Sequence, residues 1–250
     1  RNLGGLVKDI LSFKFGQIAQ RLKSNSDDKS DPYNTFELIN NLSKESNTNL
    51  QYFVLIGDYS TYDKNPHYKS EGFQKLLKSL SGNYAMGLHP SYESYNHLGK
   101  IGIEKKRLEN IIGKKVTSAR CHFLRVNLPE TYRAFIENEI TDDYTMIYAS
   151  QSGFRTGLCV PYKWFDLQKN EVTNLTIHTS VMMGGTLRDY NKLSPENAKH
   201  TAVALMEEVK KIRSSWLIVL KIKEDDSLAW VKTTCWDDHI FIATKDWKAI

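Results

Sequence analysis

Residues 84–94 read YAMGLHPSYES, a segment that joins an apolar run to a histidine and a proline. The run from Tyr84 to Leu88 is typical of the end of a buried strand. Pro90 cannot donate a hydrogen bond to a sheet, and it biases His89 toward an extended conformation. The segment therefore predicts a strand that stops where His89 begins a loop. In α/β folds, chemistry lies at such carboxyl ends of strands.

Outward from this segment, predicted strands and helices alternate along the chain. Apolar runs and alternating patterns predict strands over residues 52–56, 84–88, 118–126, 144–148, 157–160, 175–179, 216–222 and 229–235. Helical spacing and capping signals predict helices over residues 3–22, 34–42, 72–80, 103–112, 129–138 and 194–212. Strands separated by helices pair in parallel. We therefore predict a single, barrel-like α/β domain over residues 1–250.

The bulk composition excludes some classes of function. The 250 residues carry a net charge of +5, with lysine and arginine dispersed among the acids. Nucleic-acid binding is disfavoured because it requires a concentrated basic stripe. No apolar run reaches the roughly 18 residues that a membrane span needs. No signal peptide is visible, and the chain begins at Arg1, so we expect a targeting segment or a first strand to precede it.

The cysteines indicate a reducing environment. Cys121, Cys159 and Cys235 are odd in number and far apart, which argues against a disulfide framework and a CxxC zinc site. Each lies in an apolar, strand-like stretch, which favours buried thiols. We therefore expect a cytoplasmic location.

Polar side chains follow the predicted strands one after another. They are Asp58 and Asp63 in GDYSTYDKN, His89 in GLHPSYES, Arg120 and His122 in SARCHFLR, Asp142 and Asp143 in ITDDYT, Arg155 in SGFRTG, and Asp237, Asp238 and His239 in TTCWDDHIF. Because Arg120 and His122 alternate with apolar residues, both should face the same way. A parallel barrel would gather all of these residues at one mouth.

This set of residues supports two kinds of chemistry, and the spacing alone leaves both open. Histidine with carboxylates suits a divalent metal such as zinc. The same residues could act as acid and base without a metal. Structural roles compete with both, since Asp58 could cap the turn after Gly57 and Arg155 could form an ion pair. His178 and His200 have no polar companion in the sequence, and we interpret both as structural.

The chain resembles the polysaccharide deacetylase-like proteins (chitin deacetylase-like, carbohydrate esterase family four), in particular a bacterial branch found in surface-polysaccharide gene clusters. The segments that carry the resemblance are FVLIGDYSTYDKN, GLHPSYES, SARCHFLRVNLPETY, ITDDYTMIYASQSGFRTG, VPYKWFDL and CWDDHIFIATKDWKAI. Together they span most of the chain, and their order matters more than any one of them.

The resemblance implies a distorted (β/α) barrel with a groove at the carboxyl ends of the strands. In that family one aspartate and two histidines hold a metal, usually zinc, which polarises an acetamide carbonyl and activates a water. A separate aspartate is the general base, and a late histidine is the general acid toward the leaving amine. The implied reaction removes N-acetyl groups from a surface-polysaccharide sugar and yields acetate and a free amino sugar.

The resemblance also assigns roles to individual residues. His89 matches the first metal histidine, and Glu93 stands four residues later, where the family has the second. Arg120 matches the arginine that orients the base. Asp143, with Asp142 as the alternative, matches the acid that orients the catalytic histidine.

Two motifs depart from the family. Trp236 and Asp237 stand where the branch has Trp-His, so Asp237 occupies the general-acid position, and His239 follows two residues later. The aspartate pair of the family's first motif, one a metal ligand and one the base, would lie just upstream of Arg1.

Three functional hypotheses follow. The first is a zinc-dependent deacetylase whose carbohydrate substrate contacts Asp58, Tyr59, His122, Arg155 and Trp236, with Tyr92 and Trp164 as further aromatic candidates. The second is a non-catalytic carbohydrate-binding or scaffold protein on the same barrel. The third is a glycosidase in which the carboxyls of Asp58, Asp142 and Asp237 meet across the groove, about 5 Å or roughly 6.5–9.5 Å apart.

Overall fold

The computed structural model describes residues 34, 36–45, 49–211, 217–221 and 240–244. The helices are α1 (Phe36–Glu45), α2 (Glu71–Asn83), α3 (Gly99–Ile112), α4 (Glu130–Glu137) and α5 (Pro195–Lys211). The strands are β1 (Leu50–Val54), β2 (Ala85–Leu88), β3 (Ser118–Ala119), β4 (Asp142–Asp143), β5 (Tyr162–Asp166), β6 (Glu171–Ile177), β7 (Met182–Met183), β8 (Leu217–Lys221) and β9 (Ile240–Thr244). Short helical turns lie at Tyr92–Tyr95, His122–Leu124 and Thr186–Tyr190.

The described strands form one sheet in the order β5-β6-β4-β3-β2-β1-β9-β8-β7. Among them, β5 and β6 pair antiparallel, and every other adjacent pair runs parallel. Strand β1 lies between β2 and β9, so the first and last described strands are neighbours. Strands β5 and β7 form the two edges of the described sheet. The predicted α/β class with a parallel-dominated sheet is confirmed.

The core forms where the sheet meets amphipathic helices. Residues 52–56, which include the end of β1, are buried on both faces, and this explains the continuous apolar run there. Helix α2 buries Phe73 and Leu77 against it, and α3 contributes Leu108. Helix α3 ends where predicted, at Gly113, whose φ of 68° is the left-handed conformation that glycine adopts without steric cost. The predicted helices over 72–80, 103–112, 129–138 and 194–212 correspond to α2, α3, α4 and α5.

Two predicted strands are wrong, and a third is too long. Strand β3 ends at Ala119 instead of continuing to residue 126, because the chain turns at Phe123 and Leu124, whose φ angles are 55° and 56°. No strand occupies residues 144–148, although Tyr144 and Ile147 are buried and pack with Phe53. Residues 157–160 form a turn in which Leu158 and Val160 are exposed. In the segments 144–148 and 157–160 the apolar pattern did not reflect strand pairing.

The antiparallel pair β5–β6 was not predicted. Its exposed face carries Phe165 and Val172, so the apolar pattern that marks a half-buried strand is weak there. The guanidinium of Arg133 in α4 donates to both carboxylate oxygens of Asp166 at 2.7 and 2.8 Å, which holds the hairpin against the helix. Strand β9 lies at 240–244, whereas the predicted last strand over 229–235 lies outside the described residues, as does the predicted helix over 3–22.

Two further expectations concern the cysteines and the membrane. Cys121 is buried as predicted, Cys159 is half-buried, and Cys235 lies outside the described residues. Within the described part of the chain, no helix is both long and apolar enough to cross a membrane.

Candidate functional site

The candidate site includes the first residue after each of four neighbouring strands, β2, β3, β4 and β6. In each case its backbone N–H donates to the carbonyl of the last residue of the adjacent strand, so the ladder continues one step beyond the sheet. The four bonds are His89 to Val54 at 2.9 Å, Arg120 to Leu88 at 2.9 Å, Tyr144 to Ala119 at 2.9 Å, and His178 to Asp143 at 2.8 Å. The sheet therefore sets the backbone of His89, Arg120, Tyr144 and His178 side by side at one mouth.

A buried carboxylate and a buried imidazole form the centre of the site. The Nδ1 of His122 lies 2.7 Å from Oδ1 of Asp63, whose side chain has no solvent exposure. Asp63 also accepts from the backbone N–H of Tyr92 at 2.9 Å and from the hydroxyl of Ser60 at 3.0 Å. Burial raises the pKa of Asp63, but the hydrogen bonds from His122, Tyr92 and Ser60 outweigh it, so the pKa lies below its usual value. Asp63 is therefore ionised at neutral pH.

His89 lies beside this pair. Its Nδ1 is bonded to the backbone carbonyl of Arg120, and its ring centroid is 5.0 Å from that of His122. Since a carbonyl only accepts, His89 donates from Nδ1, and the lone pair of the neutral ring lies on Nε2. The same holds for His122, whose Nδ1–H is donated to Asp63. Metal-ligating histidines are held by such bonds to carbonyls and carboxylates.

The loop after β2 is held from below by a buried glutamate. Both carboxylate oxygens of Glu104, in α3, accept from Ser91, at 2.9 Å from its N–H and 2.6 Å from its hydroxyl. Burial raises the pKa of Glu104 to about 7, although the bonds from Ser91 oppose that rise. Glu104 therefore fixes the segment between His89 and Tyr92 without reaching the mouth itself.

Strand β4 sends its two aspartates in opposite directions. Oδ1 of Asp142 accepts from Nε2 of His178 at 2.7 Å, and the imidazole stacks on the ring of Tyr144 with centroids 4.2 Å apart. Asp143 is fully buried on the other side, where the hydroxyl of Tyr132 donates to it at 2.8 Å. Burial raises the pKa of Asp143 to about 6. Our interpretation of His178 as lacking a polar companion was wrong, because Asp142 is that companion.

Aromatic rings cover the rim above His122. Tyr62 stacks on Tyr92 with ring centroids 4.1 Å apart, and the edge of Phe123 meets both rings, at 5.7 Å and 5.4 Å. The ring of Phe123 also lies 4.6 Å from that of His122. We name Tyr62, Tyr92 and Phe123 the aromatic platform.

The remaining predicted site residues are dispersed. Asp58 is exposed and pairs with Arg107 at 2.9 Å. Tyr59 is exposed, with the ammonium of Lys64 over its ring, and Arg155 is exposed and donates to the carbonyl of Leu124 at 3.2 Å. Glu93 is half-buried in the turn after His89. Trp236, Asp237 and His239 lie outside the described residues.

Among the described residues, no group of three or more His, Cys, Asp or Glu side chains could hold a metal ion. The buried imidazole nearest His89 belongs to His122, which we had expected to contact substrate. Our residue assignments omitted Asp63 as a partner of His122, and they omitted Glu104, Tyr62 and Phe123. The sequence offered a reason to consider Asp63 as a site residue, because it follows β1 in the same segment as Asp58. It offered no reason to single out Glu104, which is one of several charged residues on a helix.

The sequence matches no protein-family model and no curated protein. The fold, however, is similar to that of a crystal structure described as a "putative polysaccharide deacetylase from Mycobacterium smegmatis". The TM-score is 0.52 and the sequence identity 12%, over 98% of this chain and 73% of that one. This likeness shows a shared fold. The fold is therefore a mixed α/β fold with a parallel-dominated sheet, similar to the fold of that structure.

Proposed function

We propose that this protein is a hydrolase that removes N-acetyl groups from a surface-polysaccharide sugar. The observation that carries the proposal is the pair of buried imidazoles of His89 and His122, 5.0 Å apart by ring centroid, each with its Nδ1 held by an oxygen. They lie at the carboxyl end of the sheet, where α/β proteins carry out their chemistry. The shared fold with a protein described as a deacetylase supports the same class of reaction.

The proposal includes a divalent metal ion. Imidazole donors favour zinc. Its ligands would include Nε2 of His89 and of His122, since both rings are oriented by their Nδ1 bonds. Because no group of three metal-binding side chains lies among the described residues, a third ligand would have to come from residues outside them. Glu93, at the position the resemblance gives for the second ligand, lies in the turn after His89 that Glu104 and Asp63 hold. When bound, such an ion supplies a Lewis acid for the acetamide carbonyl.

The protein's own groups have orienting and proton-transfer roles in the proposal. Ionised Asp63 holds His122 in a single tautomer. Arg120, which is buried, is the residue that the resemblance assigns to orienting the base. The proton for the leaving amine comes from Asp237 or His239, the candidates that the resemblance gives. Among the described residues, the hydrogen-bond partners of Asp143 are Tyr132 and Thr145.

A second candidate is a carbohydrate-binding protein without hydrolytic activity. Two features of the sequence favour it, because Glu93 and Asp237 stand where the resemblance has histidines. An aspartate can donate a proton at neutral pH only if its pKa is raised well above about 4. The two candidates differ in one observable, the release of acetate.

The test measures zinc content and acetate release on the complete gene product. Elemental analysis of the wild type is compared with His89→Ala, His122→Ala and the control His200→Ala, whose exposed side chain lies on α5. Oligomers of N-acetylglucosamine serve as substrate. We expect about one zinc per chain in the wild type and the control, and losses of both zinc and acetate release in the other two variants.

The outcomes separate the alternatives. Acetate release by protein that contains no zinc would contradict the metal proposal and support the hydrolase proposal. Zinc-loaded protein that binds the oligomers but releases no acetate would favour the binding protein. Equal zinc content in the wild type and both histidine variants would remove His89 and His122 from the metal proposal.

A further inference from the structure

Two arginines flank the turn His122–Leu124 at the mouth of the sheet. Arg125 directly follows this turn, and Nη1 of Arg155 donates to the carbonyl of Leu124 at 3.2 Å. Phe123 and Leu124 have φ angles of 55° and 56°, which non-glycine residues adopt only at a cost in free energy. Such strain persists where the surrounding structure holds it, and it clusters at binding and catalytic sites. Both guanidinium groups therefore lie at a strained segment that begins with a buried imidazole of the candidate site.

No carboxylate of the described residues neutralises either of these two arginines. The side chains of Arg107, Arg133 and Arg188 each form an ion pair with an aspartate. In the described part of the chain, Arg125 and Arg155 have no such carboxylate partner, and each instead donates through Nη1 to a backbone carbonyl. A guanidinium has several N–H donors and is always charged in proteins. Most of the donors and the whole positive charge of both groups are therefore available to a ligand.

The guanidinium of Arg125 is held in one orientation. Its central carbon lies 3.9 Å from the ring centroids of both Tyr92 and Tyr95, and its Nη1 lies 3.4 Å from the carbonyl oxygen of Tyr92. Stacking on aromatic rings covers the face of a guanidinium and leaves its N–H donors at the edge. Tyr92 is itself fixed, because its backbone N–H donates to Asp63 at 2.9 Å. Donors that are already immobilised lose little conformational entropy on binding, which distinguishes Arg125 from a solvated surface arginine.

We propose that Arg125 and Arg155 bind an anionic group of the substrate, a carboxylate or a phosphate carried by its glycan chain. This inference rests on the proposed function and names the class of sugar polymer on which it acts. The two oxygens of a carboxylate or phosphate match the planar fork of N–H donors, and such charge-assisted bonds are roughly twice as strong as neutral ones. A neutral polymer of N-acetylglucosamine has no group that matches this charge. Because the arginines flank the turn that carries His122, they bind a sugar that neighbours the reacting acetamide.

The test compares anionic with neutral sugars by isothermal titration of the complete gene product. The anionic probes are a tetrasaccharide of alternating N-acetylglucosamine and glucuronic acid, and the 6-phosphate of N-acetylglucosamine. The neutral probes are the tetramer of N-acetylglucosamine and its monomer. We expect at least one anionic probe to bind about 5-fold or more tightly than the neutral probe of its length, and the difference to shrink at high salt. The probe with the larger preference identifies the group as a uronic acid or a phosphate.

Substitutions assign this preference to the two arginines. We expect Arg125→Gln and Arg155→Gln each to weaken binding of the preferred anionic probe about 3- to 10-fold and to leave binding of the neutral probe unchanged. Arg155→Lys, which keeps the charge but not the planar fork, should recover part of the loss. The matched control is Lys115→Gln, which removes one charge from an exposed side chain before β3, at the amino end of the sheet. It should bind every probe as the wild type does. Thermal unfolding shows that each variant is folded.

The outcomes decide the inference and separate it from the proposed function. No binding of either anionic probe, or equal binding of anionic and neutral probes, would overturn it. An equal loss for both kinds of probe in the arginine variants would do the same, because it indicates a purely structural role. So would a thymidine oligomer that binds through these arginines more tightly than any sugar probe. Binding of an anionic probe through the arginines without release of acetate supports the inference and contradicts the proposed hydrolysis. Release of acetate with no preference for anionic probes contradicts the inference and supports the hydrolysis.

Discussion

The imidazole of His122 and the carboxylate of Asp63 meet at 2.7 Å, although 59 residues separate them in the sequence. One follows β3 and the other follows β1, two strands that are not adjacent in the sheet. Both side chains are buried, so the bond forms where water does not compete with it. The same carboxylate accepts from the backbone of Tyr92, which ties the loop after β2 to the pair.

Removal of this carboxylate should be costly. We expect Asp63→Ala to lower the free energy of unfolding by about 3 kcal/mol, because it leaves His122 and the N–H of Tyr92 without their acceptor. The matched control is Asp58→Ala, whose exposed ion pair with Arg107 should contribute about 0–1 kcal/mol. Urea denaturation measures both. Equal losses in the two variants would contradict a central role of Asp63.

Stability should depend on pH through Glu104. Its pKa is about 7 in the folded protein, against 4.5 for the unburied group. In this window the folded protein holds more protons than the unfolded chain, so the free energy of unfolding falls as pH rises from 4.5 through 7. We expect the fall to be on the order of 2–3 kcal/mol, and to be mostly absent in Glu104→Gln.

Two other groups define where this effect is measured. The pKa of Asp143 is raised in the same direction, from 3.8 to about 6, so part of the slope below pH 6 remains in the variant. The pKa of Asp63 is lowered, so its contribution is present above 3.8 and is lost only as pH falls further. Asp143 and histidines also titrate between pH 6 and 7, so Glu104 is measured there by the difference in slope between the wild type and Glu104→Gln in thermal unfolding. A slope that Glu104→Gln leaves unchanged there would show that Glu104 is not its source.

Gly57 should not tolerate a side chain. A Cβ at Gly57 would lie 2.6 Å from Cβ of Ser91 and 3.0 Å from Oε1 of Glu104. We expect Gly57→Ala to displace the loop that carries His89 and to cost about 1–3 kcal/mol. Gly72→Ala, in α2 with nothing within 4 Å, should instead stabilise by about 0.5–1 kcal/mol. Chemical denaturation of the two variants should give changes of opposite sign, and a shared sign would refute the close contact.

Tyr132 should stabilise the protein through its hydroxyl. Its ring is 1% exposed and its hydroxyl donates to Asp143 at 2.8 Å. Tyr132→Phe should lower the free energy of unfolding by about 1–3 kcal/mol, because a buried carboxyl loses a donor. Tyr190→Phe, at an exposed ring, should change it by less than about 0.5 kcal/mol. If Tyr132→Phe left the free energy of unfolding unchanged, water or another group would have replaced the hydroxyl.

Helices α2, α3, α4 and α5, and the end of β2, were predictable because their signals are local. Apolar periodicity, Gly113 after α3 and Pro90 after His89 act within a few residues of where they stand. The order of helices and strands followed from the same patterns, and with it the parallel-dominated sheet. That order also predicted that His89, Arg120 and His122 lie together at the carboxyl ends of the strands.

The partners of these residues depend on long-range geometry. Asp142 and Asp143 are equivalent in the sequence, but successive side chains of a strand point to opposite faces, and only the register of β4 sends Asp142 to His178 and Asp143 to Tyr132. Glu104 resembles any other charge on a helix until packing buries it under Ser91. Local residue patterns thus predicted the helices α2 to α5 and the end of β2. Packing between distant elements decided which polar groups lose water and find each other, because burial and hydrogen-bond partners are properties of contacts that the order of residues does not contain.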